Sequence, residues 1–591
     1  MKSINITPFA PEQTEKPKIR KKVIFFDTTL RDGEQGPNAG MTSEEKLVLA
    51  TKIARTGVDR MELGFPASGD DKATIKQIVA KFNQEGLETE VCGLARANKH
   101  DIDACVEALK EAKNPFIHTF ISTSKIHIKE KLQKTHREVL QKISESISYA
   151  KAASKLSTGR EWPVEWSAED ATRTNPRFLI YAVRAAIEAG ADRINLPDTV
   201  GHGNSSKTGW MFKEVIKNCR DEIEKARLEG REIEFSCHNH NDRATAVAGS
   251  INALINGAIQ VEGCLGNFGE RAGNTNLIHL AEQIEANGNA ISETEDFYHE
   301  LNTKLLIPTH NMICRVLGQE IHPKDPVSGS DIAAHGAGIH MDGQEKAGAK
   351  AYNVVNQAKY GANDPENTTG PRSGDAHIIN ALRTFGVVGS KKFQSAEEKQ
   401  IIHQLSESIK LSSGKTNGIF PAQVLFEYSN RYEGFSDLEF KIMPDGKLRV
   451  SFIHNNQLQI FFGDISEGNS EIAGLAQAIS TFTGQSIDII DQIERKKISL
   501  PEIEARYESE TNGGAKLPEY VGAHSRAICQ VTIANEKQKF SARTTGKNAQ
   551  QATLEAIFQS AWPMIRQKIG GKSLGNSYFE ELEHAANAVN Q

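Results

Sequence analysis

Between Val23 and about Asn267 short β-rich runs alternate with amphipathic helical stretches, and few folds accommodate that rhythm. The runs are VIFFDTT (23–29), RMELGFP (60–66), EVCGLAR (90–96) and FIHTFIST (116–123), then PVEWSAE (163–169), RINLPDT (193–199), EIEFSCHN (232–239) and QVEGCLG (260–266). Helical periods such as Ser43–Arg55 and Pro176–Ala189 lie between them. Strand-helix units repeating every roughly thirty to forty residues predict an α/β fold, a (β/α)8 TIM barrel, because each helix must cover a parallel sheet buried on both faces. An open doubly wound sheet is the competitor, but it usually carries a glycine-rich phosphate loop, and the sequence has none.

The chemistry-bearing residues cluster where these strands end. Arg31 and Asp32 follow the first, Glu169 ends the fifth and Thr199 the sixth, His238 and His240 close the seventh, and Asn267 and Glu270 follow the eighth. Active sites of such barrels sit on the C-terminal rim, so separate polar clusters converge on one place. In a strand, residues i and i+2 share a face, which lets His238 and His240 address one ion while Asn239 points away. Two imidazoles and a carboxylate suit a divalent cation, and an adjacent guanidinium suits an oxyanion. A mixed N/O donor set admits Mg²⁺, Mn²⁺ or Zn²⁺.

With 591 residues, 38% hydrophobic and 25% charged, the chain has an ordinary globular composition and room for two or three domains. A net charge of −6 without a basic run argues against nucleic acid as a partner. Residues 1–22 are polar and read as a disordered arm, not a signal peptide, and no later run is long enough to span a bilayer. The seven cysteines are scattered, odd in number and lack a CxxC, as expected of packing residues in the reducing cytoplasm. The barrel is expected over 23–290 and helical linker subdomains over 291–430, the latter broken by the Gly/His-rich run His335–Gly343 and a polar loop at Tyr360–Gly374. From 431 to 591 strand-like runs at 437–443, 447–453 and 457–463 precede a helix near 470–483. Further runs at 486–492, 527–534 and 538–543 precede one near 548–565, an apparent duplication in a separate α+β domain.

DTTLRDGEQ (27–35), GFPAS (64–68), GLARANKHDIDACVEAL (93–109), IHTFISTSKIH (117–127), SAEDATRTN (167–175), INLPDTVG (194–201), HNHND (238–242), GNFGERAGN (266–274) and AGIHMDG (337–343) occur in this order. On these motifs the chain resembles the 2-isopropylmalate synthase family of acyl-CoA condensing metalloenzymes over nearly its whole length. The resemblance implies that Asp32, His238, His240 and Asn274 ligate a divalent metal, with acetyl-CoA as co-substrate. Arg31 would face the keto oxygen, Thr199 would hold the carboxylate of a 2-oxo acid, and Glu169 and His340 would form the acid/base apparatus, His340 coming from a neighbouring subunit. It further implies a homodimer or higher homo-oligomer, a C-terminal regulatory and dimerisation domain, and leucine as effector. Citramalate and homocitrate synthases share this chemistry and differ in the pocket for the 2-oxo acid side chain, to which Leu63 is a candidate contributor. A lyase needs a cysteine-bearing glycine loop that GNFGERAGN does not match. A non-catalytic 2-oxo acid sensor would not need the acid/base pair, and an Asn-containing shell disfavours a non-haem iron oxygenase. Departures from the family pattern are Arg243-Ala244-Thr245 after the histidines, Gly370–Gly374, Asn469–Ile472 and Gly546–Ala549.

Overall fold

The computed structural model describes residues 18–37, 39–335, 337–362, 375–385, 387, 396–416, 420–445, 447–465, 471–485, 488–496, 527–534, 539–546 and 549–569. Residues 1–17, Gly370–Gly374, Asn469, Ser470, Lys547 and Asn548, all singled out above, lie outside this set, as does the loop from Asn363 onward. The chain divides into two compact units, Met1–Ile332 with Val355–Asp364, and Ala333–Val354 with Pro365–Gln591.

The first unit is built on parallel strands β2 (Ile24–Asp27), β3 (Arg60–Glu62), β4 (Glu90–Cys92), β5 (Leu94–Arg96), β6 (Ile117–Ser122), β7 (Val164–Glu169), β8 (Arg193–Asn195), β9 (Glu234–His238) and β10 (Gln260–Gly263). Their order is β4-β3-β2-β10-β9-β8-β7-β6-β5. The sequence predicts one strand over 90–96, and the structure breaks it at Gly93 into β4, paired with β3, and β5, paired with β6. Both ends of the sheet are therefore halves of the same strand, and the eight predicted strands close into a barrel. Glycine is needed at the break, since a Cβ on Gly93 would lie 2.6 Å from Pro66 Cγ.

Helices form where the sequence supplies caps. Thr42 and Glu45 make a reciprocal capping box on Ser43–Arg55, Thr135 and Glu138 do the same on His136–Thr158, and Asn175 with Pro176 starts Pro176–Glu188. The last four residues of the arm differ from expectation: Ile19–Lys22 form β1, paired in parallel with β11 (Glu295–Tyr298). Lys21 and Lys22 are held there by Glu295 and Glu300, contacts some 275 residues away that local polarity cannot signal. This unit also continues past residue 290, where the sequence placed the barrel's end, through β11 and the helix Leu306–Val316.

The barrel interior combines a polar network with a small apolar cluster of Phe26, Cys92 and Phe116. Gln260 on β10 donates to Glu165 on β7 at 2.7 Å, and Arg60 on β3 pairs with Glu234 on β9 at 2.7 Å. These strands are not sheet neighbours, so the side chains meet across the lumen.

In the second unit β12 (Ser436–Ile442), β13 (Lys447–His454) and β14 (Gln457–Asp464) form an antiparallel sheet followed by the helix Glu471–Thr483. Then β15 (Asp488–Lys496), β16 (Ala527–Ala534) and β17 (Lys539–Gly546) form another, followed by Ala549–Lys568. The repeated βββα order is the duplication visible in the sequence. Phe452, Phe558 and Trp562 pack with Phe426 and Phe435 in its core. Among the described residues no helix is long and apolar enough to cross a membrane.

Candidate active site

Parallel strands share a C-terminal edge, and the expected residues gather there. After β2 the chain turns through Thr29–Gly33 as a single π-type turn, which swings Arg31 and Asp32 back over the barrel mouth. Asp32 Oδ2 lies 3.8 Å from His238 Nε2 and 3.8 Å from His240 Nε2, and the two nitrogens are 3.2 Å apart. A point equidistant from these three atoms lies about 2.1 Å from each, the bond length of Mg²⁺ to oxygen or Zn²⁺ to nitrogen. The donor set therefore fits a divalent cation. Gly269, at φ +118°, permits the approach, because a Cβ there would stand 2.7 Å from Asp32 Oδ2.

The electrostatics agree with this use. Burial pushes the imidazoles of His238 and His240 down to about 4, so both rings are neutral and able to donate a lone pair. Burial alone would raise the Asp32 carboxyl, but Arg31 and then the two histidines outweigh it and hold it below the usual range. Asn274, fully buried, donates from Nδ2 to Asp32 Oδ2 at 2.7 Å, while its Oδ1 has no hydrogen-bond partner among the described residues. Exchanging amide N and O, which are nearly identical in shape, turns that orphaned oxygen toward the cluster.

Arg31 donates from Nε to Glu62 and from Nη1 to Asp32 Oδ1 at 3.1 Å. Glu62 is fully buried on β3, and its other oxygen meets His118 Nδ1 at 2.8 Å; His118 Nε2 meets Ser167 Oγ at 2.7 Å. Behind the metal cradle, Glu262 Oε2 lies 3.3 Å from His238 Nδ1. Sequence reading gave Glu62, His118 and Glu262 no role. Each sits inside a strand, where no motif spacing marks it, although alternation does place an unexpected charge on a buried face. Glu62, His118 and Cys92 also form a compact group, but the two oxygens of Glu62 are already taken by Arg31 and His118.

Glu169 ends β7 as expected, and Lys131 binds it at 2.6 and 3.0 Å, with Ser122 donating to it as well. Thr199 follows Asp198, whose N–H donates to His238 O at 2.8 Å and whose carbonyl accepts from His240 N–H at 3.1 Å. The Thr199 hydroxyl oxygen accepts from Asp170 N–H at 3.0 Å, which leaves its O–H to donate outward. Arg271 clamps this loop, donating to Thr199 O at 2.9 Å and to Asp242 Oδ1 at 2.8 Å. Arg243 is exposed and caps His202 O at 2.8 Å. Leu63 is buried beyond β3, its N–H donating to Cys92 O at 2.9 Å. His340 belongs to the second unit, on the helix Gly338–Ala347, stacked on Tyr352 with ring centres 4.1 Å apart.

Residues 22–313 match the HMGL-like family. A 2-isopropylmalate synthase of Oceanobacillus iheyensis is 32% identical over 80% of this chain and 87% of its own length. That of Streptococcus gallolyticus is 34% identical over 80% of this chain and 86% of its own. This chain belongs to the 2-isopropylmalate synthase family. With the family member of Prochlorococcus marinus (strain MIT 9301), 36% identical, the match covers 62% of this chain and 65% of the other, just under two thirds of that relative's length. Among solved structures, the hydroxymethylglutaryl-CoA lyase of Pseudomonas aeruginosa aligns over 51% of this chain and 95% of its own, at 18% identity and a TM-score of 0.41. The better covered family relatives extend well beyond the barrel.

Proposed function

We propose that this chain condenses acetyl-CoA with 2-oxoisovalerate and hydrolyses the thioester, releasing 2-isopropylmalate and CoA. The observation that carries the proposal is the Asp32–His238–His240 triangle beside Arg31, in a chain of this family. A divalent cation in that cradle, with Asn274 as a further donor, supplies Lewis-acid polarisation of the keto group and a template for the 2-oxo acid. Arg31 has two of its N–H groups committed to Glu62 and Asp32; those remaining stabilise the alkoxide as the keto oxygen gains charge. Thr199 donates its O–H to the substrate carboxylate. His340, reaching the substrate from a neighbouring copy, accepts a proton from the thioester methyl group, and that same proton passes to the alkoxide through water held by the Glu169 carboxylate. The methyl carbon bonds to the keto carbon, and water then cleaves the C–S bond, so that the CoA thiol leaves. Ion pairing with Lys131 fixes the Glu169 carboxylate in place. The same reading makes the enzyme cytoplasmic, at least a homodimer, and subject to leucine through its βββα repeats.

The test is thiol release from acetyl-CoA with pyruvate, 2-oxobutyrate, 2-oxoisovalerate or 2-oxoglutarate, in Mg²⁺, Mn²⁺ or Zn²⁺. Preference for 2-oxoisovalerate upholds the proposal. Preference for pyruvate or 2-oxoglutarate keeps the chemistry and makes the enzyme a citramalate or homocitrate synthase. No release with any acid overturns it.

A further inference from the structure

Within Ala333–Val354 lies a polar cluster with an internal order. Gln344 sits one turn beyond His340 on the helix Gly338–Ala347 and donates from Nε2 to Asn353 Oδ1 at 3.2 Å. The same oxygen meets His335 Nε2. An amide oxygen only accepts, so His335 Nε2 carries a hydrogen, and a neutral imidazole has no second one to place on Nδ1. His335 Nδ1 is therefore a lone pair. It faces His340 Nδ1 at 3.2 Å, which makes His340 the donor in that bond and leaves His340 Nε2 bare.

We infer that His335, fixed by Asn353 and Gln344, is a positioning residue that sets the tautomer of His340 so that Nε2 is the atom able to accept a proton. The inference rests on the reading of His340 as the proton acceptor. Ring orientation is fixed as well. Tyr352 lies nearly parallel to His340, at 16°, and Gly343 of the same motif gives it room, since a Cβ on Gly343 would lie 2.5 Å from Tyr352 Cε2.

Two measurements on the full chain test this. With [15N]histidine labelling, the signal missing from His340→Gln identifies His340. In the unmutated protein it should show a hydrogen on Nδ1 and a lone pair on Nε2, and Asn353→Leu should mix the two tautomers. A hydrogen on Nε2 would mean that the amides run the other way and would overturn the inference. The second measurement is turnover. His335→Ala should lower kcat roughly 10- to 100-fold, the usual cost of losing a partner behind a functional imidazole, with KM values little changed. The isotope effect with trideuterated acetyl-CoA should rise, because proton abstraction has become slower. His335→Asn, whose Oδ1 can accept from His340 Nδ1, should restore most of the loss. An unchanged kcat in His335→Ala, or a loss with no change in isotope effect and no recovery in His335→Asn, overturns the inference. If the unmutated protein releases no CoA, the condensation reading falls, and the NMR measurement still decides the order of hydrogen bonds by itself.

Discussion

Glu62 lies on the floor of the site with two cationic partners, and Glu62→Gln separates their contributions through pH. Burial by itself lowers the His118 imidazole, but Glu62, then Glu262 and Glu165, outweigh burial and raise it to about 9 from 6.5. A histidine whose value is higher in the folded chain stabilises the fold fully below 6.5, and that stabilisation fades as pH rises through about 9. The gap of about 2.5 pH units, at about 1.36 kcal/mol each, is worth about 3 kcal/mol for this buried ring. In urea unfolding between pH 6 and pH 9.5 this ring alone should therefore take about 3 kcal/mol from the first unit, adding to losses of the same sign from the carboxyls of Glu165 and Asp27, which burial raises to about 8 and about 7. Tryptophan fluorescence in a Trp562→Phe background reports this unit alone, because Trp162, Trp166 and Trp210 all lie in it. Glu62→Gln leaves Arg31 and His118 without their shared anion, which should cost about 3–5 kcal/mol at pH 6, as for other broken buried pairs. The share of the pH dependence that belongs to His118, about 3 kcal/mol, should vanish in this variant, so that the two curves approach one another in alkali. A flat profile in the unmutated protein, or an equally steep one in Glu62→Gln, would refute the reasoning.

Three further outcomes follow from the site and the barrel. Asp32→Ala and His240→Ala should each lose stoichiometric Mn²⁺ binding, measured by calorimetry, together with CoA release, whereas Glu169→Gln should lose turnover and keep the metal. Thr199→Val, which removes the outward O–H, should raise KM for the 2-oxo acid about tenfold, the value of one hydrogen bond to a charged group, while KM for acetyl-CoA stays put. Gly93→Ala forces a Cβ against Pro66 where the barrel closes and should cost about 1–3 kcal/mol in thermal unfolding, the usual penalty of overpacking; an unchanged midpoint would mean that the break in the third strand tolerates a side chain.

Much of the rim was legible in advance because its information is local. The i, i+2 spacing of His238 and His240 fixes their common face in any strand, and the polar residues at the strand ends reach one rim in any parallel barrel. Arg31, Asp32 and Asn274 lie together with the two histidines on that rim. Thr199 could be placed on the rim but not in its bond with Asp170, and Glu169 could be placed without Lys131, because those partners sit on different loops. Glu62 was missed for a related reason: a lone carboxylate inside a short strand carries no spacing signal, and its meaning comes from Arg31 and His118, which lie 31 and 56 residues away.

The alternation of strand and helix, the caps on several helices, the duplicated tail and the chemical groups on the rim are all written locally in the chain, since period, caps and turn residues act within a few positions. Long-range packing sets the split of the third strand that closes the barrel, the pairing of Ile19–Lys22 with β11, and the polar network that crosses the lumen from Arg31 through Glu62 and His118 to Ser167. Those outcomes depend on which side chains of non-neighbouring strands meet across the barrel. Closure and strand stagger set that pairing, and neither is written in any local stretch of the chain.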